Sequence, residues 1–182
     1  MTLMIDGDLR LQARRAGLEL VQLHALRYLS LCNRYSDTSA AVADYLGLTR
    51  GTVSQTLATL ERKGLLTKEG DPNDGRVSHC HLTNEGRKLV DQLVPPKVVA
   101  KAAAALPDAS ATTEQLTELL RHMQRANRLA TFGTCESCVH FTTEAQGTFR
   151  CGLTEERLRV ADSRKICREH RYPTGTSQPR EA

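Results

Sequence analysis

Apolar residues recur every three or four positions through the first half of the chain, and this pattern predicts three helices that pack together. Residues 17–33 carry an apolar stripe wide enough for a buried core helix. Residues 37–47 begin with hydroxyl and carboxylate N-cap candidates and end at a glycine. Residues 49–64 repeat this pattern, from a capping threonine to a terminal glycine. The inward positions of the third helix are Val53, Leu57 and Leu60.

The outward face of the third helix has no acidic residue, whereas an exposed helix face ordinarily mixes both signs of charge. It consists of Arg50, Gly51, Ser54, Gln55, Ala58 and Thr59. Small residues let a helix enter a groove, and Arg, Gln, Ser and Thr can donate hydrogen bonds to base edges and phosphates. Two short helices around a tight turn, the second with such a face, predict a helix-turn-helix.

A period-two alternation of apolar and polar residues follows the third helix and predicts a β-hairpin. Residues 65–70 and 76–82 are the strand candidates, and the turn between them is rich in Pro, Asn, Asp and Gly. A further helix is expected to begin at Thr83. The fold class is therefore mainly α with a small β-wing, in a winged helix-turn-helix domain over residues 1–94. A winged helix that binds another protein is the alternative to DNA binding.

The run from "GLTRGTVSQTLATLERKGLL" through "DPNDGR" to "LTNEGR" resembles the DNA-binding core of the multiple-antibiotic-resistance regulator (MarR) family. This resemblance covers residues 17–94 and implies a dimeric transcription factor on double-stranded DNA with a palindromic operator. Members are often repressors that small ligands or oxidants release. By position, the resemblance implies DNA contacts from Thr49, Arg50, Thr52, Ser54 and Gln55, with Asp74 and Arg76 shaping the wing near the minor groove. Gln55 stands where the family often has arginine, and the helix before Leu18 is short.

Residues 95–130 are predicted to form a helical dimerisation region. Prolines separate an alanine-rich helical piece from a longer helix that has one apolar face. That face consists of Leu116, Leu119, Leu120, Met123, Ala126 and Leu129. Such a helix needs an apolar partner, and the family resemblance implies the matching helix of a second subunit, so a homodimer is expected. Packing within one chain is the alternative.

Residues 131–172 contain four of the six cysteines, spaced as C-x2-C-x12-C-x15-C: Cys135, Cys138, Cys151 and Cys167. The chain has neither a membrane-spanning apolar run nor a secretory signal, so a cytoplasmic protein with reduced thiols is expected. In that setting clustered cysteines indicate metal ligands or redox groups. Few large apolar residues surround them, so metal binding would supply folding energy to this module.

The occupant of the four-cysteine module is suspected to be an iron-sulfur cluster of the 4Fe-4S type, with zinc as the alternative and a bare thiol switch as the third possibility. One C-x2-C pair followed by two single cysteines is similar to the ligand pattern of high-potential iron-sulfur proteins. His140 and His170 are reserve ligands that are expected at the surface. Because the module follows the predicted dimer helix, its redox or metal state is expected to change DNA affinity through that helix.

The remaining features place weaker limits on function. A formal net charge of +4 permits a nucleic-acid partner. Cys32 is expected to be buried and Cys80 half-buried, while His79 and His81 are expected to be solvated wing histidines, with a metal-chelating pair as the alternative. No phosphate loop, serine elbow or acid-base pair indicates an enzyme. Residues 173–182 have the composition of a disordered tail.

Overall fold

The computed structural model describes residues 2–72, 74–126, 132–144 and 147–173 of the chain. Its first part contains α1 (Thr2–Arg15), α2 (Leu20–Leu31), α3 (Ser39–Leu46), α4 (Arg50–Arg62), β1 (Leu66–Gly70), β2 (Ser78–Leu82), α5 (Asn84–Leu93), α6 (Lys97–Ala104) and α7 (Ala109–Ala126). The cysteine-rich part contains β3 (Gly133–Thr134), β4 (Phe141–Thr143), β5 (Phe149–Cys151), β6 (Arg157–Leu158), α8 (Val160–Ser163) and β7 (Ile166–Cys167). The predicted tail lies outside the described residues from position 174 onward, as does Leu129.

The predicted winged helix is confirmed, and local sequence explains where its helices begin and end. The side chain of Thr38 caps α3 by accepting a hydrogen bond from the Ala41 amide at 3.3 Å. Thr49 caps α4 in the same way, with the Thr52 amide at 3.2 Å. Gly47 ends α3 in the left-handed region with φ of 64°, which an L side chain rarely adopts. These caps fix the tight turn between α3 and α4.

The wing is a two-stranded antiparallel sheet in which Leu66 of β1 faces Leu82 of β2. Leu66 and Cys80 of the wing pack into the core that α1 to α5 form together. Cys32 is buried there, as predicted. Cys80 is 2% exposed, so it is fully buried and not half-buried as predicted. Its backbone amide donates a hydrogen bond to the Asp37 carbonyl at 2.7 Å, which holds β2 against the segment that follows α2.

The apolar face of α7 is exposed in the single chain. Four of its large side chains, Leu116, Leu119, Leu120 and Met123, are each about half exposed. By contrast, the N-terminal helix α1, which was expected to be short, has 14 residues and buries Leu9 and Ala13 in the core. None of the described helices is both long and apolar enough to cross a membrane. The exposed stripe of α7 thus remains a surface that could take an apolar partner.

The cysteine-rich module forms two small antiparallel sheets and packs against the helix-turn-helix of the same chain. Strand β3 pairs with β7, and β5 pairs with both β4 and β6. The ring of Phe132 contacts Tyr28 of α2 and Tyr45 of α3 edge-on, with centroid separations of 6.4 and 5.0 Å. Ile166 forms a parallel bridge with Cys32 at the end of α2. The module therefore lies beside the first helix of the helix-turn-helix.

A glycine in α5 gives a direct test of how closely the wing and α5 pack. A Cβ at Gly86 would lie 2.0 Å from the Leu65 carbonyl oxygen, so backbone would have to move. We expect Gly86→Ala to lower the free energy of unfolding by roughly 1–3 kcal/mol, the usual cost of overpacking, as measured by urea denaturation. Gly70→Ala is the matched control, because nothing lies within 4 Å of its Cβ. Equal stabilities of the two variants would contradict this packing.

Candidate nucleic-acid interface and cysteine site

The outward face of α4 is exposed except at Thr59, which is half-buried. Its inward side chains, Val53, Thr56, Leu57 and Leu60, are buried. The predicted DNA-contacting residues of this helix, Thr49, Arg50, Thr52, Ser54 and Gln55, are all exposed on the other side. The hydroxyls of Thr49 and Thr52 lie 2.9 Å apart at the start of the helix. The N-terminal part of α4 therefore presents an exposed, hydrogen-bonding surface of the kind that fits a DNA major groove.

Asp44 of α3 approaches the start of this surface. Asp44 Oδ1 lies 3.7 Å from the guanidinium of Arg50. Its second oxygen, Oδ2, lies 2.7 Å from the guanidinium of Arg168, which follows the predicted metal ligand Cys167. One aspartate thus joins the start of α4 to the cysteine-rich module.

The wing turn is shaped by an aspartate, and it presents an arginine to solvent. The side chain of Asp74 accepts a hydrogen bond from the Arg76 amide at 3.0 Å, and its carbonyl accepts one from the Val77 amide at 2.9 Å. The Asp74 amide in turn donates to Asp71. Arg76 is exposed on this turn. Both predicted wing residues therefore lie in the turn itself.

His79 is not a solvated wing histidine, contrary to the sequence prediction. Its Nδ1 contacts the Asp37 carboxylate, and its Nε2 lies 3.1 Å from Asp71 Oδ2. Both ring nitrogens are therefore engaged with carboxylates, which leaves neither free for a metal shared with His81. His81 itself is exposed. The imidazole of His79 ties the wing to the segment between α2 and α3.

These contacts of His79 should make the free energy of unfolding depend on pH. Hydrogen bonds to Asp37 and then Asp71 raise the pKa of His79 above its ordinary value of 6.5. A raised pKa contributes stability that is fully present below the unfolded-state pKa and is lost as pH rises through the folded-state pKa. We expect His79→Gln to cost more unfolding free energy at about pH 6 than at about pH 9, by urea denaturation at both values. A cost independent of pH would rule out a charged His79 as the tie.

The four cysteines of the predicted set line one small pocket, although they come from different elements. Cys135 and Cys138 flank a single helical turn, in which the Cys138 amide donates to the Cys135 carbonyl at 3.0 Å. Cys151 ends β5 and Cys167 ends β7. The other residues that line the pocket are His140, Phe141, Leu153, Leu158 and Glu169. The pocket wall between the thiols is largely apolar, which limits access of water.

Hydrogen-bond donors point at the sulfur atoms. Asn33, which is 1% exposed, donates from Nδ2 to Cys135 Sγ at 3.3 Å, and the Arg171 amide donates to Cys138 Sγ at 3.5 Å. A hydrogen bond to Cys167 raises the pKa of Cys135, and the same bond lowers the pKa of Cys167. Metal binding would release any proton that these two thiols hold, because metals bind thiolates.

His140 is an unsatisfied group in the wall of the cysteine pocket. Its Nε2 is buried and has no hydrogen-bond partner among the described residues. A buried nitrogen without a partner costs free energy, and such groups in native proteins are rare. A metal centre in the pocket would give this nitrogen a partner, either as a ligand or through a hydrogen bond to a ligand sulfur.

His170 is buried, so its predicted place at the surface is wrong. It is 3% exposed, its Nε2 lies 3.0 Å from Ser137 Oγ, and burial lowers its pKa. Its ring packs against Gly133, where a Cβ would lie 2.6 Å away. The histidine thus fills the small core of the module beneath β3. No local pattern indicates this contact, because His170 and Gly133 lie far apart along the chain.

In the described part of the chain, no three His, Cys, Asp or Glu side chains form a group that could hold a metal ion as they stand. The thiols share a pocket without closing around one point. Ligation would therefore require the cysteine side chains to turn toward a common centre. Four thiols, an apolar wall and an unpaired imidazole nitrogen still make the pocket chemically suited to a thiolate-bound metal centre.

Three residues of this site were missed by sequence reasoning: Asn33, Asp44 and Arg168. Each makes its contact across the boundary between the winged helix and the cysteine-rich module. Asn33 lies 102 positions from Cys135. Neither periodicity nor motif spacing carries information about such long-range polar pairs.

The fold and the exposed face of α4 define a winged helix-turn-helix protein. Residues 16–77 match the model of the MarR family. The resemblance drawn from the sequence is confirmed for the winged helix. The matched residues end before the cysteine-rich module, which lies outside the family model.

Similar proteins are regulators, and two similar structures contain DNA. YkoM, an HTH-type transcriptional regulator of Bacillus subtilis (strain 168), is 35% identical over 83 residues, covering 44% of this chain. The chain spans only 52% of the length of this curated relative. The S. aureus MepR-DNA complex is 26% identical with a TM-score of 0.52, covering 69% of this chain and 94% of that one. The MarR family regulator Sco3205 of Streptomyces coelicolor in complex with DNA is 26% identical with a TM-score of 0.54, covering 69% and 79%.

Proposed function

We propose that this protein is a transcriptional regulator that binds double-stranded DNA as a homodimer. The observation that carries the proposal is the exposed, hydrogen-bonding N-terminal face of α4, preceded by α3 and followed by the wing. In this account the recognition helix enters the major groove, and Arg76 on the wing reaches the adjacent backbone or minor groove. The DNA-bound structures of MepR and Sco3205 support the proposal, because they share this fold.

The homodimer is proposed from the exposed face of α7. Its half-exposed leucines and methionine form a stripe that a second copy could cover. A two-fold dimer places two recognition helices on successive turns of the same side of the duplex. The operator would then be a palindrome with half-sites about 10 base pairs apart, which is one helical turn.

Selection of duplexes from a random pool tests the DNA-binding proposal. We expect enrichment of a two-fold symmetric motif, and affinity for it should fall steeply as salt rises, because binding releases counterions from phosphates. If no motif were enriched, sequence-specific binding would be excluded. The winged helix would then be better explained as a protein-interaction module.

We further propose that Cys135, Cys138, Cys151 and Cys167 hold an iron-sulfur cluster, whose state modulates DNA binding. Support comes from their shared apolar pocket, the donors to two of the sulfurs, and the unpaired nitrogen of His140. When bound, such a cluster supplies redox chemistry that oxygen or reactive species can alter. Apolar side chains in the pocket wall would shield it from water.

Metal analysis of protein purified without oxygen tests the cluster proposal. We expect iron and acid-labile sulfide in comparable amounts, together with a visible absorption spectrum that exposure to air bleaches. Zinc without iron would replace the cluster by a structural zinc site. Protein that contains neither metal would leave the thiols as a redox switch and overturn the metal proposal.

A further inference from the structure

The segment between α2 and α3 contacts the cysteine pocket through hydrogen bonds. The side chain of Asn33 donates a hydrogen bond to Cys135 Sγ. The backbone amide of Asn33 donates one to the Ile166 carbonyl at 2.9 Å. Three residues further on, the buried Ser36 accepts the Arg168 amide on its Oγ at 2.9 Å. The backbone on both sides of Cys167 is therefore bonded to the segment that leads into α3.

Arg168 extends this connection to the recognition helix. Its guanidinium lies 2.7 Å from one oxygen of Asp44, while Arg50 lies 3.7 Å from the other. Arg50 is 64% exposed and stands among the predicted DNA-contacting residues. A single carboxylate is thus shared by a cation next to a predicted metal ligand and a cation at the start of α4.

We propose that Arg168 transmits the state of the four-cysteine centre to the recognition helix by neutralising Asp44. This inference rests on the proposed function, because it assumes both DNA binding and a metal-dependent module. It differs from the sequence expectation of transmission through the dimer helix. The connection runs within one subunit, from Cys167 through Arg168 and Asp44 to Arg50.

Charge balance explains the direction of the expected effect. With Arg168 in place, the carboxylate of Asp44 is paired, and Arg50 is available for a DNA phosphate. If the chain at Cys167 shifts when the metal leaves, Asp44 keeps only Arg50 as a cationic partner and presents negative charge toward the duplex. Like charges repel, so metal-free protein should bind DNA more weakly.

Three variants test this connection through the affinity for a duplex recovered by selection. Metal-loaded Arg168→Ala should bind as weakly as metal-free wild type, roughly 5-fold or more below loaded wild type, the lower end of common coupling between sites. Asp44→Asn should make affinity independent of metal. Adding Arg168→Ala to Asp44→Asn should then change nothing further, because the charge that Arg168 neutralises is gone.

The control addresses the other route between the module and the DNA. Tyr172 contacts α7, with Arg121 and Arg125 at 5.0 and 6.0 Å from its ring. Tyr172→Ala should preserve the metal dependence of DNA affinity if transmission runs through Arg168. Loss of that dependence in Tyr172→Ala, with Arg168→Ala unchanged from wild type, would overturn the inference in favour of the dimer helix.

A second measurement needs no DNA. The backbone N–H of Arg168 donates a hydrogen bond to Ser36 Oγ. Hydrogen exchange at this N–H should slow when the protein is reconstituted with iron and sulfide. Unchanged exchange would mean that the metal does not fix this segment, which contradicts the inference. Wild-type protein that takes up no metal or shows no metal-dependent DNA affinity would instead refute the proposed control of DNA binding by the metal. If DNA affinity depended on metal in the wild type, and the Arg168→Ala and Asp44→Asn substitutions did not change that dependence, only the connection through Arg168 would be refuted.

Discussion

Replacement of any one of Cys135, Cys138, Cys151 and Cys167 by serine is expected to abolish the bound metal. A serine hydroxyl stays protonated near neutral pH, so it cannot replace the thiolate that the metal requires. The measurement is iron, sulfide and zinc per chain after anaerobic purification of each variant. Because metal binding contributes folding energy to so small a module, the same variants should also unfold at lower temperature.

Two cysteines outside the pocket serve as matched controls for that series. Cys32 and Cys80 are buried in the core of the winged helix. Cys32→Ser and Cys80→Ser should keep full metal stoichiometry, even if each loses some stability. A pocket variant that retained full stoichiometry would exclude that thiol as a ligand. His140 would then be the next candidate, since its Nε2 is unpaired in the same pocket.

Substitutions on the recognition helix and wing should separate general from base-specific contacts with DNA. Arg76→Ala is expected to weaken binding to all duplexes and to reduce the dependence on salt by about one phosphate contact. Gln55→Ala should relax preference at particular base positions by roughly 1–3 kcal/mol while leaving non-specific binding in place. Titration of selected and scrambled duplexes at several salt concentrations measures both effects.

Arg62 offers a control for Arg76, with the same charge but on the recognition helix. It lies at the C-terminal end of α4, where its guanidinium donates to Thr59 Oγ1 at 3.0 Å. Arg62→Ala should change affinity less than Arg76→Ala, because Arg62 lies at the end of the recognition helix away from the bases, whereas Arg76 lies on the wing that is expected to reach the DNA. A larger effect at Arg62 would mean that the helix is docked in another orientation.

The winged helix could be predicted because its signals are local. Thr38, Thr49 and Thr83 cap helices with their own side chains, and Gly47 and Gly64 end them with positive φ. These choices depend on residues three or four positions away, so they can be read from the sequence alone. The exposed face of α4 was predictable for the same reason, as the complement of a buried stripe.

The contacts between the two parts of the chain could not be predicted, because they join distant residues. The fully buried Asn33 turns its amide to a cysteine of the other part, and nothing in its neighbours marks it for that role. His79 was expected in solvent, because its place on an alternating strand says nothing of Asp37 on another segment. His170 was misplaced likewise, since the packing that buries it comes from Gly133 and Ser137.

The deciding measurement compares the affinity of metal-loaded and metal-free protein for the selected operator at one salt concentration. It tests whether this protein is a DNA-binding regulator controlled by its cysteine module. Both forms must be folded dimers, as checked by circular dichroism and sedimentation. If the cysteine module controls DNA binding, the loaded form binds at least about 5-fold more tightly, a modest coupling between two sites. Equal affinities would contradict it and leave the module a structural support for the winged helix.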